Sequence, residues 1–329
     1  MSIVFIEDTR PLPPSITEVD TDTAAFIGYT AKATSTAPDD LRLKPTLVRS
    51  VRDFEEFFGD SAATDATVHV TAKAAGFTVD RVDGPMSVHA LYFAVRMFFE
   101  NGGQRCYVVS VGSLSSGRPD LASLRSGVDA IASEDAPTIV VVPEAVSLPQ
   151  TDYATLAAAI IAQCGGRKDR FAIFDLYDGA NASVDVTSAR NAFPTSPDLR
   201  YAAVYYPYLR TALTYPFDES TSFVALGKSA PVTVASIAKT NQALHAVAVK
   251  ALQNHRVTLP PSGAIAGVYA EMDRTRGVWK APANVALKAV VEPAVALDDR
   301  RSEGFNVDPA AGKSIDTIRT FAGRGTPNE

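Results

Sequence analysis

The sequence has few of the residues from which proteins build metal centres and disulfide frameworks. Its 329 residues include two cysteines, Cys106 and Cys164, and both lie in apolar stretches. We expect both to be small core residues, and a disulfide between them is the less favoured alternative. The four histidines are scattered and no C-x-x-C or H-E-x-x-H motif occurs, so the sequence predicts no metal site. These histidines are His69, His89, His245 and His255.

The sequence also lacks a long apolar run and an excess of positive charge. No run approaches the ~20 apolar residues that a transmembrane helix needs. The N-terminus, MSIVFIEDTR, becomes acidic too early for a signal peptide. The 31 basic and 37 acidic residues leave a formal net charge of −6, which argues against nucleic acid and anionic membranes as partners. We therefore expect a chain that is made and folded in a cytoplasm and does not insert into a membrane.

The signatures of nucleotide binding are incomplete. Gly227-Lys228-Ser229 and Gly312-Lys313-Ser314 each match the last three residues of a P-loop. Ser222 and Val307 stand where the first glycine of that loop is needed, so the backbone cannot wrap a phosphate there. No G-x-G-x-x-G motif follows a predicted strand. The sequence predicts no cofactor.

Two aspartates are the best candidates for catalysis. Asp175 and Asp178 lie at the end of a predicted strand over 171–176, where α/β enzymes often place catalytic groups. Aspartate is also a common loop residue at such positions. Because no nucleophile, cofactor or metal motif accompanies them, we predict no catalytic, cofactor-binding or metal-binding residues and a protein that is not an enzyme. An α/β enzyme of unknown reaction is kept as an alternative.

The sequence does contain a regular alternation of strand and helix patterns. With 46% hydrophobic and 21% charged residues it is typical of a globular protein with a core. The alternation predicts an α/β fold with a mixed, largely parallel sheet flanked by helices. The predicted strands cover 24–29, 46–48, 107–111, 138–142, 171–176 and 201–206. The predicted helices cover 51–58, 87–100, 121–131, 151–164 and 186–192, with 165–166 ending the fourth.

The two ends of the chain differ from this central region. Ile3, Val4, Phe5 and Ile6 favour a strand, and three prolines after them (Pro11, Pro13 and Pro14) favour an extended path. Residues 1–20 are therefore predicted to form an extended N-terminal linking arm, with an edge strand of the chain's own domain as the alternative. We expect an α/β core over 21–210, with 60–84 as a candidate excursion. A loop over 213–235 and a helix over 237–254 fill 211–260, and 261–329 forms a smaller α+β portion with a helix over 264–272 and strands over 286–291 and 314–321.

Three stretches resemble the contractile tail sheath family, which serves phage tails, R-type pyocins and related injection systems. The first comprises Thr23-Ala24-Ala25-Phe26-Ile27-Gly28, Pro45-Thr46-Leu47-Val48-Arg49-Ser50 and Phe54-Glu55-Glu56-Phe57-Phe58-Gly59. The second is a helix–Asn-Gly-Gly–strand unit over 94–109, with Asn101-Gly102-Gly103 at its centre. The motifs are collinear and span nearly the whole chain.

The third stretch is the most specific. Its pieces are Pro260-Pro261-Ser262-Gly263, Gly267-Val268-Tyr269-Ala270, Asp273-Arg274, Arg276-Gly277-Val278-Trp279-Lys280-Ala281-Pro282-Ala283-Asn284, Asn306 and Ile318-Arg319-Thr320-Phe321-Ala322-Gly323-Arg324-Gly325-Thr326. We take Arg276, Gly277, Trp279, Lys280, Pro282 and Asn284 as the signature segment. Trp279 and Pro282 are expected to hold it non-helical after a helix that ends near 275. Arg274, Arg276 and Lys280 either pair with carboxylates of a neighbouring subunit or are solvated.

The resemblance implies a structural subunit that polymerises helically around an inner tube and contracts to drive it through a target envelope. It implies partners of four kinds: neighbouring sheath subunits, the inner tube, the baseplate and tail-terminator proteins. Ile3 to Ile6 would be the strand donated to a neighbour. In the family a further C-terminal domain follows the Gly-Arg-Gly-Thr stretch, so a truncated form or a divergent protein is expected here. A tail accessory or regulatory sheath paralogue is the alternative.

Overall fold

We describe a computed structural model of the chain, over residues 21–61, 65–74, 76–84, 90–114, 118–308, 312–320 and 327–328. The predicted linking arm, including Ile3, Val4, Phe5 and Ile6, lies outside the described residues. None of the helices in these ranges is long and apolar enough to cross a membrane.

The strands and helices are numbered in chain order. The strands are β1 (Ala24–Gly28), β2 (Thr46–Val48), β3 (Thr67–Lys73), β4 (Gly76–Asp83), β5 (Cys106–Ser110), β6 (Ile139–Val141), β7 (Phe171–Asp175), β8 (Ala202–Tyr206), β9 (Leu209–Thr214), β10 (Phe223–Leu226), β11 (Val232–Thr233), β12 (Arg256–Leu259), β13 (Val290–Pro293), β14 (Asp316–Thr317), β15 (Arg319–Thr320) and β16 (Pro327–Asn328). The helices are α1 (Val51–Phe58), α2 (Ala90–Glu100), α3 (Leu121–Ala130), α4 (Gln150–Arg167), α5 (Val186–Asn191), α6 (Val234–Ile237), α7 (Gln242–Gln253), α8 (Ser262–Arg276) and α9 (Asp299–Asn306).

A seven-stranded sheet with the order β14-β8-β7-β6-β1-β5-β2 forms the centre of the fold. Its strands are parallel except β2, which pairs with β5 in the antiparallel sense. The predicted α/β class with a mixed, largely parallel sheet is therefore confirmed. Every residue of β1 is buried, because helices cover both sides of a parallel sheet.

The two faces of this sheet are packed by different helices. Phe26 points into a core with Phe54, Leu91 and Ile265, which come from α1, α2 and α8. Ile27, the next residue, points into the opposite core, which contains side chains of α3, α4, α5 and α9. The strand period of two therefore places alternate residues of one buried strand in two separate cores. Cys106 and Cys164 are both free and buried, as predicted, and they lie in different cores.

Two smaller sheets correct the sequence prediction for the middle of the chain. Residues 213–235 were predicted to be a loop, and this is wrong. β10 lies in this range and forms a four-stranded sheet of order β11-β10-β3-β4, over which α6 and α7 pack. β9 pairs with β12 and β13 in a three-stranded sheet. β10 is too short for its local pattern to identify a strand. Its partner, β3, lies more than a hundred residues earlier, so the neighbouring sequence does not indicate the pairing either.

The end of α4 is a second correction. Glycines at 165 and 166 were predicted to stop this helix, but it continues to Arg167 and ends at Lys168, which is left-handed with φ of 63°. A Cβ at Gly165 would overlap the side chain of Asp198. The glycine therefore lets a neighbouring turn approach the helix and does not terminate it.

The last part of the chain was only partly predicted. The helix expected over 264–272 is confirmed as part of α8. The strand expected over 286–291 begins later, at Val290, and the one expected over 314–321 is found as the short pieces β14 and β15. Helix α9 was missed, although Asp298 caps it by accepting from the backbone N–H of Arg301 at 2.7 Å.

Candidate functional site

Asp175, one of the two best candidates for catalysis in the sequence, contacts the start of α8. Asp175 accepts from the backbone N–H of Ser262 at 2.7 Å and from the Ser262 hydroxyl at 2.6 Å. Its side chain is buried, and this burial raises the pKa of the carboxyl to about 7. Asp178 lies in a turn with φ of 57° and accepts from Asn181. Both aspartates thus have structural contacts, and the described residues contain no cluster that could hold a metal ion.

A second buried carboxyl group, that of Glu144, contacts the start of α2 in the way that Asp175 contacts the start of α8. Glu144 follows β6 and accepts from the backbone N–H of Leu91, in the first turn of α2, at 2.9 Å. It is 2% exposed, and desolvation raises its pKa to about 8. Two carboxyls from neighbouring strands therefore hold the starts of α2 and α8. Sequence reasoning missed Glu144, because nothing near it in the chain indicates burial.

Helices α2 and α8 approach each other at two glycines of the third motif. A Cβ at Gly263 would overlap the backbone of Ala94, and one at Gly267 would overlap the carbonyl of Phe98. Residues four apart lie on one face of a helix. The two glycines therefore leave a strip of α8 without side chains, and the backbone of α2 packs against it. These glycines have a packing role, which explains why they belong to the resemblance.

The Asn-Gly-Gly motif joins the end of α2 to the segment that follows α8. Asn101 is 4% exposed, and its Oδ1 accepts from the backbone N–H of Lys288 at 2.8 Å. Its Nδ2 donates to the carbonyl of Met97 at 2.8 Å. Gly102 has φ of 107° and packs against Glu271 of α8. The second and third motifs, far apart in the chain, therefore meet in one place.

The signature segment begins with a turn that reverses the chain after α8. Gly277 has φ of 83°, donates to the carbonyl of Asp273 at 3.0 Å, and accepts from the backbone N–H of Lys280 at 3.1 Å. The positive φ favours glycine at position 277, whereas the indole ring of Trp279 that a Cβ would meet is exposed and can shift. Asn284 adopts φ of 57°, which asparagine tolerates better than most residues.

Two apolar side chains of this turn face outwards. Trp279, the single tryptophan of the sequence, is 84% exposed, and Val278 is 61% exposed. Arg276 and Lys280 are exposed and have no ion pair among the described residues, whereas Pro282 is buried. Arg274 pairs within the chain with Glu271. The expected non-helical segment after α8 is therefore confirmed, and its outer surface is apolar and cationic.

A cleft of about 500 Å³ lies under this turn. Four aromatic residues line it: Phe171, Tyr201, Tyr269 and Trp279. Phe171 and Tyr269 stack at 5.7 Å with an interplanar angle of 22°. Thr21, the first described residue, also lines the cleft, so the chain enters the described structure at its wall. The sequence did not indicate that these aromatic residues come together.

Arg170, one of the residues that line the cleft, is held by hydrogen bonds to the backbone. This residue is 2% exposed and donates to the carbonyls of Ile131, at 2.7 Å, and Glu134, at the end of α3. Asp273 on the opposite side is half-buried, and this burial together with the nearby Asp22 raises the pKa of its carboxyl. Charged side chains and aromatic rings therefore both line the cleft.

Comparison with known proteins identifies the fold. No family model and no curated protein matches this sequence. Among solved structures, the chain is similar to the sheath of an extracellular contractile injection system, PVC, in the contracted state, with 24% identity, a TM-score of 0.58, and coverage of 100% of this chain and 65% of that one. It is also similar to the helical sheath of the anti-feeding prophage in the contracted state, with 23% identity, a TM-score of 0.55, and coverage of 99% and 66%.

A third similar chain belongs to the baseplate of the anti-feeding prophage in the contracted state, with 21% identity, a TM-score of 0.60, and coverage of 99% and 69%. The present chain thus spans slightly less than two thirds of the length of the two sheath proteins. At these identities the likeness concerns the fold, and it confirms the fold that the motifs predicted.

Proposed function

We propose that this chain, which has the fold of contractile sheath proteins, is a structural subunit of a contractile tail sheath. It polymerises helically around an inner tube and contracts to drive the tube through a target envelope. The observation that carries the proposal is the likeness of 99–100% of the chain to sheath proteins solved in the contracted state. The contact between the second and third resembling motifs at α2 and α8 supports it.

Subunits are linked by strand donation in this proposal. Ile3, Val4, Phe5 and Ile6 form a strand that pairs with a neighbour, where main-chain hydrogen bonds supply the linkage and alternate side chains set the register. The central sheet has β2 and β14 as its outer strands within the described residues. Pro11, Pro13 and Pro14 keep the connection extended. Head-to-tail contacts that do not close produce an open helix, which is the form of a sheath.

Contraction needs no catalytic group in this proposal, and the chain is not an enzyme. It is a switch between two packings of nearly rigid subunits, with the extended state held by a kinetic barrier. Asp175 and Asp178 support this because both hold structural contacts. The partners are other sheath subunits, the inner tube, the baseplate and tail-terminator proteins, with assembly in the cytoplasm of the producing cell and neither nucleic acid nor membrane insertion involved.

A tail accessory or regulatory sheath paralogue is the second candidate. The likeness to a chain from the baseplate of the anti-feeding prophage favours it. Such a protein would join a tail at one end and would not form long tubes by itself.

Assembly can be tested with purified protein by negative-stain electron microscopy and size-exclusion chromatography. We expect ring stacks or tubes, either alone or when the chain is seeded with an inner-tube polymer. The variant Val4→Pro should abolish them, because proline cannot donate to a β-ladder. Glu7→Ala is the matched control and should assemble. A chain that stays monomeric under all these conditions would contradict the sheath role, and addition to the tube end only would favour the accessory protein.

A further inference from the structure

The cleft under Trp279 has the chemistry of a binding groove. An indole ring that is 84% exposed leaves a large apolar surface in water, and tryptophan is among the residues that dominate binding interfaces. Phe171, Tyr201 and Tyr269 line the same cleft. The stacking of Phe171 on Tyr269 fixes two of these rings relative to each other.

Aromatic grooves of this kind suit a proline-rich segment in the polyproline II conformation. Proline rings pack on aromatic faces, and the carbonyls of such a segment have no internal partners and accept from donors on the groove wall. Trp279, with its indole N–H, and the exposed Lys280, with its ammonium group, are donors among the residues that line the cleft. The polyproline II conformation is present before binding, so little entropy is lost on docking.

The chain itself contains a proline-rich segment a short distance along the sequence from a residue of the cleft. Pro11-Leu12-Pro13-Pro14 precedes Thr21 by a short stretch, and Thr21 lines the cleft. At about 3.1 Å per residue an extended connection from Pro14 to Thr21 spans roughly 20 Å, which is enough to turn back along a cleft of this size. A tether of this length also gives the segment an effective concentration on the order of millimolar at the cleft.

We propose that residues 11–14 dock in the Trp279 cleft of their own chain. The docking itself is independent of the sheath role. Its consequence for assembly rests on the proposed function: a docked proline segment anchors the root of the linking arm, so that only the residues before it, including Ile3 to Ile6, reach a neighbour. The cleft would then set the length of the free arm.

Trp279 makes the proposal directly measurable, since its fluorescence is the only tryptophan signal of the chain. The full chain is compared with the triple variant Pro11→Ala, Pro13→Ala, Pro14→Ala. Both carry Val4→Pro, so that the strand donation proposed above does not contribute. We expect the triple variant to show a red-shifted emission and an acrylamide quenching constant about twofold higher, because the ring loses its cover. Pro38→Ala, in an exposed turn, is the control and should leave both readings unchanged.

Two further measurements test whether the cleft is occupied by the proline segment of the same chain or by that of a second copy. A synthetic peptide of residues 8–17 should reverse the red shift of the triple variant, and circular dichroism should show that all variants stay folded. The signal of the Val4→Pro parent should not depend on protein concentration. Emission that is the same in the triple variant and the parent would overturn the docking. A signal that is lost on dilution would assign the cleft to the proline segment of a second copy and would overturn the intrachain proposal. Each of these results leaves the sheath role to its own assembly test.

Discussion

The glycines of α8 and the tryptophan that follows it belong to the same run of motifs, but they lie in opposite surroundings. Gly263 and Gly267 are buried against α2, and Asn101 bonds to the backbone of Lys288. Trp279, a few residues beyond α8, is largely exposed. The same run of motifs therefore contains residues that hold α2 against α8 and a turn whose tryptophan is exposed. We expect substitutions at the buried glycines and at the exposed tryptophan to differ in their effect on stability.

The largest effect is expected for Gly267→Val. Its side chain would overlap the carbonyl of Phe98, which is backbone and cannot move aside without shifting α2. We expect the free energy of unfolding to fall by about 3 to 4 kcal/mol, as measured by chemical denaturation. Gly304→Ala in α9 is the control, because a Cβ there meets nothing within 4 Å. Equal stability of both variants would show that α2 and α8 are not held at this distance.

The buried carboxyls predict a dependence of stability on pH. The pKa of Asp175 is raised to about 7 and that of Glu144 to about 8, so the native chain holds protons that the unfolded chain releases. Their contribution is complete below the ordinary carboxyl pKa and is lost as pH rises through these values. We expect the free energy of unfolding to fall by several kcal/mol between about pH 5 and about pH 9, since both groups contribute.

The variant Glu144→Gln tests how much of this dependence of stability on pH comes from Glu144. Glutamine keeps an oxygen for the Leu91 N–H but has no proton to lose, so the fall with pH should become shallower. Glu303→Gln, on the exposed side of α9, is the control and should keep the wild-type slope. If both variants keep the full slope, Glu144 does not contribute to it.

A smaller loss is expected for Asn101→Ala. The change leaves the Lys288 N–H without its acceptor in a partly buried place and removes the bond to Met97. We expect destabilisation of about 2 kcal/mol in the same denaturation experiment. The control is Asn254→Ala, whose amide is exposed and bonds only to the preceding turn of its own helix, at Lys250. Similar losses for the two variants would argue against a special role of the Asn-Gly-Gly motif.

The smallest effect on folding is expected for Trp279→Ala. Because the ring is 84% exposed, its removal should change the free energy of unfolding by less than about 1 kcal/mol. Arg276→Ala is the matched control on the same turn. A loss comparable to that of Gly267→Val would mean that Trp279 is a structural residue and would remove the contrast between the two regions.

Several features of the fold were predictable from the sequence, because their signals are local. The strands of the central sheet are short apolar runs between helical patterns, and five buried residues in β1 need no distant information to be recognised. Ser50 was expected to cap α1, and its hydroxyl accepts from the backbone N–H of Asp53 at 3.1 Å. The turn after α8 was expected from Gly277 and Pro282.

What the tertiary structure decided depends on partners that are distant in the chain. Gly165 was predicted to end a helix, but it makes room for Asp198. Asp175 was the best candidate for catalysis, but it accepts from the backbone N–H of Ser262. The four aromatic residues of the cleft come from separate elements. The sequence by itself determined the class of the fold and the positions of its motifs, since periodicity and capping act over a few residues. Only packing brought distant residues into contact, and contact determines whether a glycine, a carboxyl or a tryptophan serves folding or binding.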